Sequence, residues 1–118
     1  MPDYKLGEVE MKFADIIWEN EPIASGELVK LSNQKLAWKK STTYTILKRL
    51  CERGIFQNTD GIVTSLISKE EFISKKSEAF LEENFKGSLP SFIAAFSSRR
   101  KLSKEEIDSL IKLIDKSR

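Results

Sequence analysis

Apolar residues recur at helical spacing in the first third of the chain and predict two helices. In 6–20 they lie three and four residues apart, and the helix is expected to end before Pro22. A second helix is predicted over 26–31, with Ser25 as its N-cap. The polar residues 32–34 are expected to form a turn or a fraying end.

The stretch 35–54 predicts a third helix with two contrasting faces. Ser41 or Thr42 is expected to cap it, and Gly54 to follow its end. At about 100° per residue, Thr43, Leu47, Leu50 and Cys51 share one side. The opposite side carries Ser41, Thr42, Thr45, Lys48, Arg49 and Glu52, with Tyr44 at the border. Such a polar, basic face suits a DNA major groove, and a solvated helix surface is the alternative.

A β-hairpin is predicted directly after this helix. The β-branched runs 55–59 and 62–67 flank Asp60-Gly61, a dipeptide typical of tight hairpin turns. Three helices followed by a hairpin are the order of a winged helix, in which the third helix enters the groove. Residues 1–67 are therefore predicted to form a winged-helix DNA-binding domain.

Residues 68–118 are predicted to form three further helices, which begin after Ser68, Ser88 and Ser103. Their apolar stripes exceed what three short helices can bury together, which favours a two-fold dimer, and packing on the winged helix is the alternative. The residues expected at the dimer interface are Leu81, Phe85, Phe92, Phe96, Ile107, Leu110, Ile111 and Ile114. The predicted fold is mostly α with a small β-hairpin: a winged helix-turn-helix followed by a C-terminal helical dimerisation region.

Charge strengthens the nucleic-acid interpretation through its distribution. The 118 residues carry a net charge of only +2. Residues 1–34 hold three bases against seven acids, whereas 35–53 hold six bases against one acid. The positive potential is thus expected on the third helix and its entrance.

Composition excludes several other classes. With no histidine and one cysteine, Cys51, the chain cannot form internal disulfides, His/Cys metal sites or Ser-His and Cys-His catalytic pairs. Cys51 is expected to be an inert core thiol. No apolar run is long enough for a membrane span and no signal peptide is visible, so a cytoplasmic protein without membrane insertion is expected. The paired glutamates resemble helix starts and solvated faces, so no enzyme activity and no cofactor are predicted.

Over about residues 6–115, the chain resembles the penicillinase-repressor and methicillin-resistance-repressor family of bacterial winged-helix regulators, because several motifs occur in the order and spacing of that family. They are Leu6-Gly7-x-x-Glu10, Ile16-Ile17-Trp18, Trp38-x-x-x-Thr42-x-x-Thr45-x-Leu47-x-Arg49-Leu50 with Gly54, Ser68-x-Glu70-Glu71-Phe72, and Phe85-x-Gly87-Ser88-Leu89. The resemblance implies a homodimeric repressor of a palindromic operator. It also implies release from DNA when a membrane sensor that detects a β-lactam antibiotic leads to cleavage in the C-terminal helices.

The resemblance and the face geometry together assign roles on the third helix. Thr42, Thr45 and Arg49 match family positions and are expected to contact bases or phosphates. Tyr44 and Lys48 lie near the same face and are expected to set the protein's own sequence preference. Phosphates are expected to meet the helix entrance at Lys39, Lys40 and Ser41. Trp38 is expected to be a core residue at the corner between helices two and three.

The chain departs from the family pattern at three places. The family's cleavage point falls here at Ala95-Phe96, where alanine replaces the usual asparagine, so cleavage at this bond stays open. The short wing has Asp60-Gly61 in place of a basic turn, which predicts a weak contribution to DNA binding. The C-terminal cysteine cluster of related copper-responsive repressors is absent from the sequence, so metal sensing is not predicted. A small-ligand-responsive regulator and a winged-helix protein-interaction module remain alternative functions.

Overall fold

The computed structural model describes residues 6–118, which form six helices and three strands in the order of a winged helix followed by a helical tail. The helices and strands are α1 (Glu8–Asn20), β1 (Ile23–Ala24), α2 (Ser25–Leu36), α3 (Lys40–Glu52), β2 (Phe56–Thr59), β3 (Ile62–Ser65), α4 (Lys69–Phe85), α5 (Leu89–Arg99) and α6 (Lys104–Lys116). The predicted class, mostly α with a small β-hairpin in a winged helix, is therefore confirmed, and a third short strand extends the hairpin to an antiparallel sheet.

The chain divides into two compact units, and the division falls inside α4. Unit 1 ends at Ser77 and unit 2 comprises Glu78–Arg118. The predicted winged-helix domain began at residue 1, and its first five residues lie outside the described part of the chain. The first turns of α4 belong to unit 1, because Phe72 is fully buried there against Trp18, with ring centroids 5.5 Å apart.

Unit 1 has one apolar core, built from the stripes that the sequence predicts. Each of α1, α2 and α3 turns an apolar face inward, and the sheet contributes the side chains beneath them. The buried apolar residues are Phe13, Ala14, Ile16, Ile17, Ile23, Leu28, Leu47, Leu50, Ile55, Phe56, Val63 and Phe72. This core fixes which side of α3 faces outward.

The sheet has the strand order β1-β3-β2, and both pairings are antiparallel. Thr59 pairs with Ile62, so Asp60 and Gly61 form the two-residue turn. Their φ angles are 52° and 80°, as a type I′ turn requires at both central positions. The predicted hairpin is confirmed. The sequence analysis missed β1, whose two residues follow Pro22 and pair with Val63 and Ile62 of β3.

Two expectations about α2 are wrong. The helix continues through residues 32–34 to Leu36, and it ends at Ala37, whose φ is 57°. Ser32 is fully buried, so this polar residue belongs to the inner face of the helix rather than to a turn. Ser25 is the first helical residue and Ala24 is the N-cap.

The predicted starts of α1 and α3 also need correction. Gly7 is the N-cap of α1, and its amide donates to the Glu10 carboxylate at 3.2 Å. The N-cap of α3 is Lys39, so Ser41 and Thr42 lie within the first turn and do not cap it. Gly54 follows the C-cap Arg53 with a φ of 80°, as predicted for the C′ position.

Unit 2 holds the end of α4 together with α5 and α6. Lys86 and Gly87 end α4 with φ angles of 51° and 79°. The hydroxyl of Ser88 caps α5 by accepting from the Ser91 amide, and Ser103 forms a capping box with Glu106 at the start of α6. A cluster of phenylalanine rings joins α4 to α5, with centroids 5.6–6.1 Å apart: Phe80, Phe85, Phe92 and Phe96.

Candidate nucleic-acid interface

The outward face of α3 carries hydroxyl and cationic side chains above a buried apolar face. Thr42, Thr45 and Arg49 are exposed, whereas Leu47 and Leu50 are buried in the core. The exposed positions recur three and four residues apart, so their side chains lie along one stripe of the helix. This stripe offers hydrogen-bond donors, acceptors and methyl groups to a partner, which are the groups that read base edges in a major groove.

The entrance to α3 adds three polar side chains to this stripe. Lys39, Lys40 and Ser41 are all exposed. The side chain of Lys39, the N-cap, makes no capping hydrogen bond. The positive end of the helix dipole and two ammonium groups therefore coincide at this point, which favours an anionic partner.

Core contacts hold α3 in place from both of its ends. Near the start, the half-buried Trp38 packs on Phe13 with ring centroids 5.0 Å apart, in agreement with its predicted core role. At the far end, the guanidinium of Arg53 lies 3.8 Å from the carboxylate of Glu10 on α1. The buried Thr43 turns inward and donates its hydroxyl hydrogen to the Lys39 carbonyl.

Tyr44 differs from the other residues predicted for this face, because it is half-buried. Its hydroxyl lies 3.1 Å from the hydroxyl of Ser25, the first residue of α2. Tyr44 lines a groove together with Leu47, Lys48, Cys51 and Asn58. Ser25 and Asn58 were not among the predicted site residues, since their proximity to α3 arises only from the tertiary fold.

The wing contributes mainly neutral polar groups. The side-chain amide of Gln57 donates to the Thr64 hydroxyl across the two strands at 3.1 Å. Asp60 at the turn is exposed. The wing surface therefore lacks the positive charge that α3 and its entrance carry.

Cys51 is half-buried on α3. Burial raises the pKa of its thiol, and the neighbouring Glu52 carboxylate raises it further. The thiol is therefore protonated at neutral pH and is a poor nucleophile.

Among residues 6–118, no group of three or more His, Cys, Asp or Glu residues is placed to hold a metal ion. Within the same range, no helix is long and apolar enough to cross a membrane.

A winged helix with a basic, hydroxyl-bearing third helix defines a class of DNA-binding transcriptional regulators. The family model described as penicillinase repressor matches residues 6–116, and this chain belongs to that family. The family consists of non-enzymatic transcriptional regulators.

Individual relatives cover nearly the whole chain at low identity. The penicillinase repressor of Bacillus licheniformis is 27% identical over 115 residues, which cover 94% of this chain and 90% of the relative. The methicillin resistance regulatory protein MecI of Staphylococcus aureus strain Mu50 is 25% identical over 117 residues, which cover 96% of this chain and 95% of the relative. The protein of the same name from Mammaliicoccus sciuri is 24% identical over the same length.

Proposed function

We propose that this protein is a homodimeric repressor that binds a palindromic operator through the outward face of α3. The observation that supports this proposal most directly is that polar and apolar side chains lie on opposite faces of α3. Thr42, Thr45 and Arg49 are exposed on one face, while Leu47 and Leu50 are buried on the other. A protein that binds chromosomal operator DNA acts in the cytoplasm of a bacterial cell.

The proposed contacts follow from the chemistry of each side chain. Arg49 pairs with a guanine edge or a phosphate, and the methyl groups of Thr42 and Thr45 meet thymine methyl groups. Lys48, which is exposed, extends the same stripe and contributes to the protein's own sequence preference. Phosphates are held at the helix entrance and the basic stripe. The proposed DNA-binding surface comprises Lys39, Lys40, Ser41, Thr42, Thr45, Lys48 and Arg49, with the half-buried Tyr44 at its border.

The dimer proposal is supported by the shortage of core in unit 2. None of residues 78–118, all of which the structure describes, is buried. Large apolar side chains stay exposed there, including Phe96 at 41% and Ile114 at 58%. A cleft of about 460 Å³ between α5 and α6 is lined by residues of the proposed interface, among them Phe92, Phe96 and Leu110. We assign this apolar surface to a second copy of the chain rather than to a small ligand.

Pairing strengthens DNA binding, because one winged helix supplies few phosphate contacts. Each phosphate neutralised contributes a slope of about −0.9 in log affinity against log salt, so a single domain binds weakly at physiological salt. Two copies double these contacts and set the spacing of the operator half-sites near one helical turn, about 34–36 Å, or a multiple of it. Splitting the dimer therefore releases the operator.

The switch that we propose is proteolysis in unit 2, triggered by a membrane sensor protease system. The candidate bond, Ala95–Phe96, lies within α5. Cutting there would separate α6 and part of α5 from the rest of the chain. The proposed interface residues Ile107, Leu110, Ile111 and Ile114 would then leave the DNA-binding unit.

The experiment is footprinting on the promoter of the protein's own gene, followed by affinity measurements on the protected duplex. Arg49→Ala and Thr45→Ala are each expected to weaken binding about tenfold, since a good base contact contributes about 1–3 kcal/mol. Lys112→Ala is the matched control for Arg49→Ala, because it removes one positive charge from an exposed position of α6. Unchanged affinity in both α3 variants would show that α3 is not the reading helix.

A further inference from the structure

Three parts of unit 1 meet at Ser25. This serine begins α2, and its backbone amide donates to the carbonyl of Gly61 in the wing turn at 2.8 Å. Its side-chain hydroxyl lies 3.1 Å from the hydroxyl of Tyr44 on α3. Ser25 is thus hydrogen-bonded to Tyr44 through its side chain and to the wing turn through its backbone.

The surroundings of Tyr44 place it at the border between α3 and the wing. It lines its groove with Lys48 and Cys51 of α3 and with Asn58 of β2. A tyrosine has two side-chain torsions, so a bond at its hydroxyl fixes the whole ring at a small entropic cost. The ring packs against the core of unit 1, and the hydroxyl links the middle of α3 to the start of α2.

We propose that Tyr44 is a positioning residue: through Ser25 it sets the angle between the reading helix and the wing, and contributes to operator recognition by that route. The inference rests on the proposed function of α3. It assigns to Tyr44 an indirect role, in place of the base contact that its position on the helix suggests.

The angle of α3 decides whether its contacts with base edges and the duplex backbone form at the same time. A misplacement of about 1 Å breaks a hydrogen bond to a base edge, because such bonds require distances near 2.7–3.2 Å. The lysines at the helix entrance keep their charges in any orientation. Loss of the Tyr44–Ser25 bond therefore lowers affinity for the operator more than affinity for unrelated DNA, and leaves the salt dependence unchanged.

A double-mutant cycle on the full-length protein tests this assignment. Tyr44→Phe and Ser25→Ala each remove one hydroxyl of the pair, and the double variant removes both. The probes are the footprinted duplex from the protein's own promoter and a duplex of the same length with shuffled sequence. Each single variant is expected to bind the footprinted duplex about three- to tenfold more weakly, as for one net hydrogen bond. The double variant is expected to bind no more weakly than either single variant, and Ser25→Thr, which keeps the hydroxyl, to restore binding.

Two controls separate positioning from other roles. Thr64→Val removes a side-chain hydrogen bond of similar length, that from Gln57, inside the wing, and it is expected to leave operator affinity unchanged. Thermal unfolding of every variant shows whether a loss of affinity follows from a loss of fold.

Distinct outcomes overturn the inference. Additive effects in the double variant would mean that Tyr44 contacts DNA independently of Ser25. A smaller salt slope in Tyr44→Phe would mean that phosphate contacts of the basic residues, rather than base contacts, are lost. An equal loss in Thr64→Val would mean that general loosening of the wing is the cause. If the wild-type protein bound both duplexes equally, the proposed operator function itself would fail, whatever the variants did.

Discussion

The carboxylate of Glu21 accepts a hydrogen bond from the backbone amide of Ser65 at 2.8 Å, and the Ser65 hydroxyl lies 2.8 Å from both carboxylate oxygens of Glu21. Glu21 follows α1, and Ser65 ends β3. The two residues are 44 positions apart in the chain, so this contact joins the end of the first helix to the base of the wing. It satisfies a strand-end amide and two side chains at once.

Removing this carboxylate is expected to destabilise unit 1. Glu21→Ala should lower the free energy of unfolding by about 1.5–3 kcal/mol, the range for hydrogen bonds to a charged group. Glu21→Gln, which keeps the shape and one acceptor oxygen, should cost less. Urea unfolding followed by circular dichroism measures both. Equal denaturation midpoints for the wild type and Glu21→Ala would show that solvent replaces the carboxylate without cost.

Local patterns predicted much of unit 1, because its helices and hairpin are encoded by nearby residues. Thr43, Leu47 and Leu50 recur at helical spacing, and all three are buried. Asp60-Gly61 is a turn dipeptide, and the turn forms with positive φ at both positions. Two features of unit 1 could not be predicted, because they depend on tertiary contacts. The strand β1 is two residues long and forms only through its pairing with β3, and Ser32 is typical of turns in sequence but is buried by packing.

The candidate site was partly predictable for the same reason. Thr42, Thr45, Lys48 and Arg49 could be placed on the outer face from periodicity alone, and all four are exposed. The Tyr44–Ser25 contact could not be predicted, because the two residues are 19 positions apart on different helices and neither has a local signal for the other. The palindromic operator was expected from the family resemblance alone, whereas the proposed dimer was also favoured by the apolar stripes of residues 68–118.

Acid should weaken the junction between α5 and α6 through Glu106. The Ser103 amide and the Arg100 guanidinium donate to its carboxylate, and they hold the pKa of Glu106 below the ordinary 4.5 of a glutamate. A lowered folded-state pKa gives stability that is full above the ordinary pKa and is lost as the pH falls through the lowered one.

The measurement is the thermal midpoint of Glu106→Gln and wild type between pH 7 and pH 3. The variant should melt at a lower temperature at pH 7, and the difference should shrink as the pH falls below 4.5. Glu105→Gln is the matched control, since it makes the same charge change at an exposed position in the same helical turn. A difference between Glu106→Gln and wild type that persisted unchanged at pH 3 would contradict the role of the ionised carboxylate.

A charge placed on the apolar stripe of α6 should dissociate the proposed dimer. Ile111 is 51% exposed, and Ile111→Asp would bury an unpaired carboxylate if a partner covers this position. The dimer dissociation constant is expected to rise at least about tenfold, as for loss of an interface hot spot. Sedimentation at micromolar concentration measures it. Lys112→Ala changes the net charge equally on the neighbouring residue and should leave the dimer intact, and a monomeric wild type would refute the interface.

Cleavage at Ala95–Phe96, if it is the switch, requires local unwinding of α5, because proteases bind their substrates as extended chains. The Ala95 carbonyl accepts from the Ser98 hydroxyl at 2.7 Å, and the Phe96 carbonyl accepts from the Arg100 amide, so both sides of the bond are held in the last turns of the helix.

Ala94→Gly lowers helix stability by about 1 kcal/mol without changing either residue of the bond. If unwinding precedes cutting, the rate of cleavage by a metalloprotease that cuts before bulky apolar residues should rise about fivefold, since 1.4 kcal/mol is about tenfold. Mass spectrometry of timed samples identifies the cut bond. Ala79→Gly places the same substitution in α4 and should leave this rate unchanged. An equal acceleration by both variants would instead mean that cutting follows global unfolding of unit 2.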